Sequence, residues 1–313
     1  MKHTLFTKKR PIRVGTDCSG MEAPIVALQQ LKIPFIHEFS SEIDKHCIST
    51  IRTNFNPMIL FGDITVRTIR NVPDIDLYVC GFPCQPFSVA GKRIGERDPR
   101  GTVFYECLRV IRHKKPVMFV LENVRGLLSI DGGETFRTIL RELEKLRVYN
   151  VYWKVLNTAD YGIPQSRKRV FIVGIRKDHH HKEFRWPKPV ACRSLEEFVD
   201  REDNTKTPLP PHFYTSGMRD IVNEKAIFIN LGFTKHRHGN ADKVCPCLVA
   251  DKGKMYCLSQ KRYMSIREYM NLQGFPITYK THPCRTHAMK QAGNSMSVNV
   301  ISLILKITIE CVS

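Results

Sequence analysis

The chain has 313 residues, a formal net charge of +19, and a composition that is 42% hydrophobic and 25% charged. That is length enough for one large or two modest domains with a full core, and the balance of apolar and charged residues is that of a globular protein. The basic excess makes nucleic acid the leading partner class. A membrane surface is disfavoured, because no long amphipathic basic helix stands out. The opening "MKHTLFTKKRPIRVG" has no apolar core of a secretory signal, and the closing "VISLILKIT" is too short to span a bilayer. The 11 cysteines are therefore expected as reduced thiols in an intracellular protein. Zinc is a weak alternative: Cys245, Cys247 and Cys257 with His236 and His238 lack a second ligand pair at the usual spacing, and no metal is expected.

In chain order, "IRVGTD" (12–17) reads as a buried strand and "PIVALQQL" (24–31) as a helix with Pro24 in its first turn. "FIHEFSSEID" (35–44) is a second strand ending in carboxylates, "KHCISTIRTNF" (45–55) a helix, and "LFGDI" (60–64) a third strand end. "DIDLYVCGFPC" supplies a fourth strand, "VFYECLRVIR" (103–112) a helix, and "PVMFVLENV" (116–124) a fifth strand. "ETFRTILRELEKL" (134–146) is an amphipathic helix with Ile139, Leu143 and Leu146 on one face. Strands follow at 151–157 and 168–175. Strands alternating with helices predict an α/β fold, a mostly parallel Rossmann-like sheet with helices on both faces.

The rhythm breaks after residue 175. Residues 176–260 carry an excess of Lys and Arg with a "TPLPPH" loop, as a nucleic-acid face would. "SIREYMNLQGFP" (265–276) is a helix closed by Gly274 and Pro276, and "QAGNSMSVNVISLILKI" a turn leading into a helix or strand. The expected division is a catalytic domain over 1–176, a smaller irregular recognition domain over 177–285, and a return to the catalytic domain over 286–313.

In a parallel sheet, ligands bind beyond the carboxyl ends of the strands. Polar residues gather there: Asp17, Ser19 and Gly20 after the first strand, Glu42 and Asp44 after the second, and Asp63 after the third. Cys84 follows the fourth strand, and Glu122 and Asn123 the fifth. An acid after the second strand suits ribose hydroxyls, and one after the third suits an adenine amino group. Helix capping explains Ser19 or Asp44 singly but not five successive strand ends. The loop "GFPCQPFS" holds Cys84 between Pro83 and Pro86, whose fixed φ angles stiffen it. A thiolate there and a carboxyl on the neighbouring strand are suited to adding across an electron-poor ring, sulfur to carbon and proton to ring nitrogen.

"GFPCQPFS", "ENV" (122–124), "QSRKRVFIVG" (165–174), "SIREYMNLQGFP" and "QAGNSMSVN" (291–299), in that order, resemble the cytosine-5 DNA methyltransferases of the restriction–modification or viral type. The resemblance implies methyl transfer from S-adenosylmethionine, yielding S-adenosylhomocysteine, to C5 of a cytosine flipped out of double-stranded DNA. It implies that Cys84 adds to C6, that Glu122 contacts N3 and the 4-amino group, and that Arg167 and Arg169 hold the target. Gln165 would help fix that turn. The cofactor residues implied are Asp17, Cys18, Ser19, Gly20, Glu42, Ile43, Asp63, Ile64, Pro83, Asn294 and Ser295. DNA contacts are expected from Gln85, Ser88, Arg93, Arg97, Arg100 and Gln165, with residues 89–101 as a closing loop and 176–260 as the recognition region. A monomer is expected.

Three departures stand out. The family's first motif usually reads Asp-Leu-Phe-x-Gly-x-Gly-Gly, whereas "TDCSGMEAP" places its acid one position late, Cys18 for the Phe and Glu22 for a glycine. Ile43 stands where an aromatic is common, and Cys247 where a Thr often ends the recognition region. The first two predict a cofactor pocket with less aromatic contact, and Glu22 a charge near the methionine carboxylate. Two rivals are an RNA cytosine methyltransferase, disfavoured because "GFTKHRH" (232–238) lacks that branch's cysteine, and a DNA-binding protein with a decayed site, disfavoured by intact Cys84, Glu122, Arg167 and Arg169.

Overall fold

The computed structural model describes residues 6–83, 102–211, 213, 226–232, 243–250 and 253–313. By compactness the chain forms two units. The first comprises residues 1–156, 168–187 and 301–313, and the second 157–167 and 188–300. This division differs from the sequence-based boundaries at 176 and 285: residues 157–167 and 286–300 fall in the second unit.

The first unit is built on a seven-stranded sheet in the order β3-β2-β1-β4-β5-β7-β6. Its strands are β1 Ile12–Asp17, β2 Phe35–Ser41, β3 Ile59–Phe61, β4 Leu77–Cys80, β5 Met118–Val124, β6 Tyr149–Asn157 and β7 Lys168–Arg176. The β1–β2, β1–β4, β2–β3 and β4–β5 pairs are parallel, and β7 runs antiparallel to β5. Central strands bury both faces, which is why "LYVC" in β4 and "MFVLEN" in β5 are nearly unbroken apolar runs. At the edges the pattern loosens: β6 exposes Trp153, and β3 has only three residues. β2 ends at Ser41, so Glu42 and Asp44 stand beyond the strand, in the connection to the next helix.

Helices α1 Ala23–Gln30, α2 Lys45–Asn54, α3 Thr102–Lys114 and α4 Glu134–Glu144 alternate with the strands. The α4 face is Phe136, Ile139 and Leu143, a spacing of three and four residues, with Leu146 only partly buried. These side chains join Phe39, Tyr78, Phe104, Phe119 and Leu121 in one core. Each fully buried large apolar side chain contributes about 1.5–3 kcal/mol. β1 lies between β2 and β4, so successive connections leave it in opposite directions. The ends of β1 and β4 therefore form the switch point at which such sheets take ligands.

The second unit contains a three-stranded antiparallel sheet, β8 Phe228–Asn230, β9 Met255–Cys257 and β10 Arg262–Tyr263, over a small core of Phe213, Ala226, Ile229 and Tyr256. Helix α5 Ile266–Leu272 opens on a reciprocal cap between Ser265 and Glu268. The Glu268 carboxylate also forks onto Arg262 at 2.8 and 2.9 Å, with both side chains fully buried. Helix α6 Arg285–Asn294 absorbs the "QAGN" segment that the sequence reading assigns to a turn, and α7 Val298–Cys311 follows after a three-residue break. No single helix among the described residues is long and apolar enough to cross a membrane.

Candidate active site

The strand ends of the first unit carry a connected polar frame. Glu42 lies just past β2, before the N-terminus of α2, where three backbone N–H groups converge on its carboxylate. Gly20 donates to Oε2 at 2.8 Å, and Ile43 and Asp44 donate to Oε1 at 2.8 and 2.9 Å. A carboxylate accepts about four hydrogen bonds, so one acceptor position remains on Oε2. The Glu42 amide in turn donates to Phe61 O, which draws the turn after β3 alongside. Within that turn, exposed Asp63 uses Oδ1 for the amide and hydroxyl of Thr65, while Ile64 is buried. Ile43 is 74% exposed and Pro83 is exposed. Gly20 has a φ of +53°, and an added Cβ there would meet nothing within 4 Å. This is an open cradle bounded by a carboxylate with capacity to spare, a second exposed carboxylate and an apolar side chain. These acceptors fit the ribose hydroxyls and adenine amino group of an adenosyl cofactor.

Asp17 does different work from the cofactor contact expected of it. Its carboxylate is buried and forks onto Arg67 at 2.8 Å to each oxygen, and it accepts the Tyr78 hydroxyl at 2.7 Å. Burial and the Asp17 charge push the Tyr78 hydroxyl well up, so it remains a donor. Arg67 also donates to Ser41 Oγ at 2.6 Å, and its guanidinium lies 5.2 and 5.1 Å from the rings of Phe39 and Phe61. The acid thus secures the site from beneath, tying β1, β2, β4 and the Arg67 turn together. Sequence reasoning missed Arg67, and a lone arginine in "ITVRTIR" offers no signal.

Cys18 likewise turns inward, with a φ of +50° and its side chain packed at the edge of the core that holds Cys80. Cys80 is 3.3 Å from Cys107, sulfur to sulfur, and burial pushes its thiol well up. Ser19 spends its hydroxyl within the loop, 2.9 Å from Thr16 Oγ1 and accepting the Ser41 amide at 3.2 Å.

At the end of β5, Glu122 meets Arg169 of β7, with Arg169 Nε 3.2 Å from Glu122 Oε1. The register explains the contact. Arg169 sits opposite Val124, on the same face as Glu122 and diagonal to it, within reach of a long side chain. Both side chains are largely buried, at 14% and 9% exposure. Asn123 points to the other face. Its amide donates to Phe82 O at 2.9 Å, and its Oδ1 accepts the Val124 amide at 2.8 Å. Phe82 packs on Phe104 at 5.8 Å between ring centroids. The chain is therefore held firmly up to Pro83, one residue before Cys84. Cys84, Gln85, Ser88, Arg93, Arg97 and Arg100 lie outside the described residues.

The remaining predicted residues lie in the second unit, where three motifs converge. Gln165 is fully buried: its amide nitrogen donates to Leu272 O at 2.7 Å and Gln273 Oε1 at 3.2 Å, and its oxygen accepts the Leu248 amide at 3.2 Å. Arg167, 1% exposed, donates to Leu248 O at 2.7 Å, Gly293 O at 2.9 Å and Ser295 O at 2.6 Å. The last two are carbonyls at the C-terminus of α6, where a cation is favoured. Gly293 is required because a Cβ there would lie 2.3 Å from the Val249 backbone. Ser295 is buried, its hydroxyl donating to Met296 O at 3.0 Å, whereas the Asn294 side chain is exposed. Cys247, at the expected threonine position, lies 3.6 Å from Arg167. The expectation that Gln165 and Arg167 face DNA and the target base is corrected here: they bind the protein's own backbone. Among the described residues no group of three or more His, Cys, Asp or Glu side chains is placed to hold a metal ion.

The C-5 cytosine-specific DNA methylase family model matches residues 18–310. Similar curated proteins include the type II methyltransferases M.HaeII of Haemophilus aegyptius, 36% identical over 85% of this chain and 83% of that protein, and M.NgoBI of Neisseria gonorrhoeae, 35% identical over 86% and 84%. M.HhaI of Haemophilus parahaemolyticus is 31% identical over 85% of each. Among solved structures, the S. pombe Dnmt2 methyltransferase superposes with a TM-score of 0.67 at 18% identity, over 96% of this chain and 98% of that one. The Entamoeba histolytica methyltransferase EhMeth gives 0.66 at 18% identity, over 96% and 98%. The structural matches establish the fold alone, but the extent of the family match and of the sequence identities places this chain in the C-5 cytosine-specific DNA methylase family, the DNA (cytosine-5) methyltransferases.

Proposed function

We propose that the chain methylates C5 of a cytosine flipped out of duplex DNA, through a covalent bond between Cys84 and C6. The observation that carries this reading is the Glu122–Arg169 pair at the ends of β5 and β7, beside the Asn123 clamp on the segment leading into Cys84. Flipping is required because a stacked cytosine exposes neither ring face to a thiolate. The Cys84 thiolate attacks C6 while Glu122 holds a proton at N3, and the addition turns the C5–C6 bond into an enamine whose electron density lies at C5. Arg169 holds the Glu122 carboxyl in place and supplies positive charge beside the base. After C5 is methylated, the C5 proton is lost to water, its bonding pair re-forms the C5–C6 double bond as the C6–S bond breaks, and the Cys84 thiolate is released while the N3 proton returns to Glu122. S-adenosylmethionine supplies the methyl group when bound. Glu42 would accept from its ribose hydroxyls and Asp63 from its adenine amino group, with Ile43, Ile64 and Pro83 as apolar walls and the Gly20 turn as the open side.

Incubation with tritiated S-adenosylmethionine and DNA containing 5-fluorocytosine tests this. Fluorine cannot leave as a proton does, so the wild-type protein becomes trapped on the DNA, and Cys84→Ala abolishes both transfer and trapping. Trapping that survives in Cys84→Ala would overturn the mechanism. We assign sequence choice to residues 176–260, whose basic excess also predicts affinity that falls steeply with salt. Replacing that segment with one from a relative of different specificity moves the methylated site. An active chimera that keeps the original site would refute the assignment.

A further inference from the structure

Glu22 stands where the resemblance expects a glycine, and the structure shows what its side chain does there. The residue is the N-cap of α1 with φ 57° and ψ 42°, the left-handed region that a glycine occupies without steric cost and a glutamate does not. Its amide donates to Ser19 O at 2.8 Å, closing the turn Ser19–Glu22, and its carbonyl accepts from the amides of Ile25 and Val26. The side chain is fully buried and leads away from solvent, which removes the expected clash with a methionine carboxylate. Its Oε1 accepts the hydroxyls of Thr16 at 2.7 Å and Ser40 at 2.5 Å, and lies 3.5 Å from His37 Nε2, which is itself 2.9 Å from Ser40 Oγ.

These bonds form a series. Ser40, Ser41 and Glu42 at the end of β2 hold, in turn, the Glu22 carboxylate, the Ser19 backbone and hydroxyl, and the Gly20 amide. The Gly20 amide is one of the three donors that orient Glu42. A backbone conformation unfavourable to glutamate is thus held by the glutamate's own carboxylate, and the same carboxylate fixes the turn that aims Glu42.

We propose that Glu22 is a positioning residue for cofactor binding: anchored on Thr16 and Ser40, it holds the Ser19–Glu22 turn so that Gly20 locks Glu42 in register, without itself touching the cofactor. This rests on the reading of the strand ends as the S-adenosylmethionine site. A merely structural residue would alter melting temperature alone, whereas a positioning residue alters the Michaelis constant for the cofactor more than the turnover number.

The test measures S-adenosylmethionine binding by calorimetry, steady-state kinetics, and amide hydrogen exchange at residues 19–22 in Glu22→Gln, Glu22→Gly and Glu22→Ala. Glu22→Gln keeps an acceptor for both hydroxyls and is expected to bind within about threefold of wild type. Glu22→Ala loses the anchor and keeps the strained backbone, so binding weakens by tenfold or more and the Gly20 amide loses protection. Glu22→Gly loses the anchor but relieves the backbone, and falls between the two. Should Glu22→Ala fail to fold, Glu22→Gly decides: wild-type affinity and wild-type Gly20 protection in that variant would overturn the proposal. A wild-type protein that does not bind S-adenosylmethionine would instead overturn the cofactor reading. The exchange measurement then still decides whether Glu22 holds the turn, and unchanged Gly20 protection in Glu22→Gly would overturn that as well.

Discussion

At the strand ends of the first unit, polar groups keep hydrogen-bonding capacity in reserve. In the motif cluster of the second unit they have turned most of it inward, onto the protein's own backbone. Glu42 retains an acceptor position after binding three amides, and Asp63 is exposed. Gln165, Arg167 and Gln273, by contrast, are almost fully buried and bonded to one another's backbone segments across more than a hundred residues of sequence. Both regions carry motifs that read equally well as ligand sites. Their difference shows that a polar motif residue is available to a ligand only where the fold leaves its donors and acceptors open. The "QSRKR" segment divides between the two regions within two residues: Arg167 closes on α6, and Arg169 pairs with Glu122 at the strand ends.

The largest effect belongs to the strand ends of the first unit. Glu122→Gln removes the group proposed to hold the N3 proton, and general acid help is worth about 10²–10⁴-fold in rate. The turnover number is expected to fall by that factor while DNA affinity changes far less, as read by single-turnover methylation and filter binding. The glutamine is close to isosteric and still offers an oxygen to Arg169, so folding is retained. A variant that keeps most of its rate would make the pair structural and erase the distinction from Arg167.

Much of the first unit is legible in the sequence, because the central strands β4 and β5 are buried apolar runs and α4 shows an apolar stripe. The positions of Glu42, Asp63 and Glu122 follow from strand ends alone. What cannot be read is the direction a side chain takes once past the strand. Asp17 and Glu22 are acids in a glycine-bearing motif and look like ligand contacts. Their burial depends on Arg67, fifty residues from Asp17, and on Ser40, eighteen from Glu22. Local patterning carries no record of such pairings. Likewise "QAGN" looks like a turn because Gly and Asn break helices, yet Gly293 is helical so that α6 can approach Val249. Helix propensity yields there to close packing.

The smaller effect, on stability rather than chemistry, belongs to the closed side. Arg167 donates to three carbonyls from two chain segments, and hydrogen bonds made by a charged group contribute about 1.5–3 kcal/mol each. Arg167→Ala leaves those carbonyls buried without their donor and opens a cavity where the guanidinium lay. Water that enters the space would satisfy part of the loss, so the expected destabilisation is about 3–5 kcal/mol, comparable to breaking a buried ion pair. At roughly 2–4 °C per kcal/mol for chains somewhat shorter than this one, the melting temperature falls by about 10 °C. Arg167→Lys restores the charge but not the planar fork that reaches three acceptors, and is expected to recover less than half of the loss. Assayed well below its melting temperature, Arg167→Ala should retain a rate within about tenfold of wild type, while Arg169→Ala, which leaves Glu122 without its cation, also lowers the melting temperature but is set apart by a rate lowered at least a hundredfold. Calorimetry and kinetics on the two alanine variants separate the roles. An Arg167→Ala protein that melts like wild type but has lost turnover would place its guanidinium on the target base after all, and the division between open and closed motif residues would fail at the segment where it is drawn most sharply.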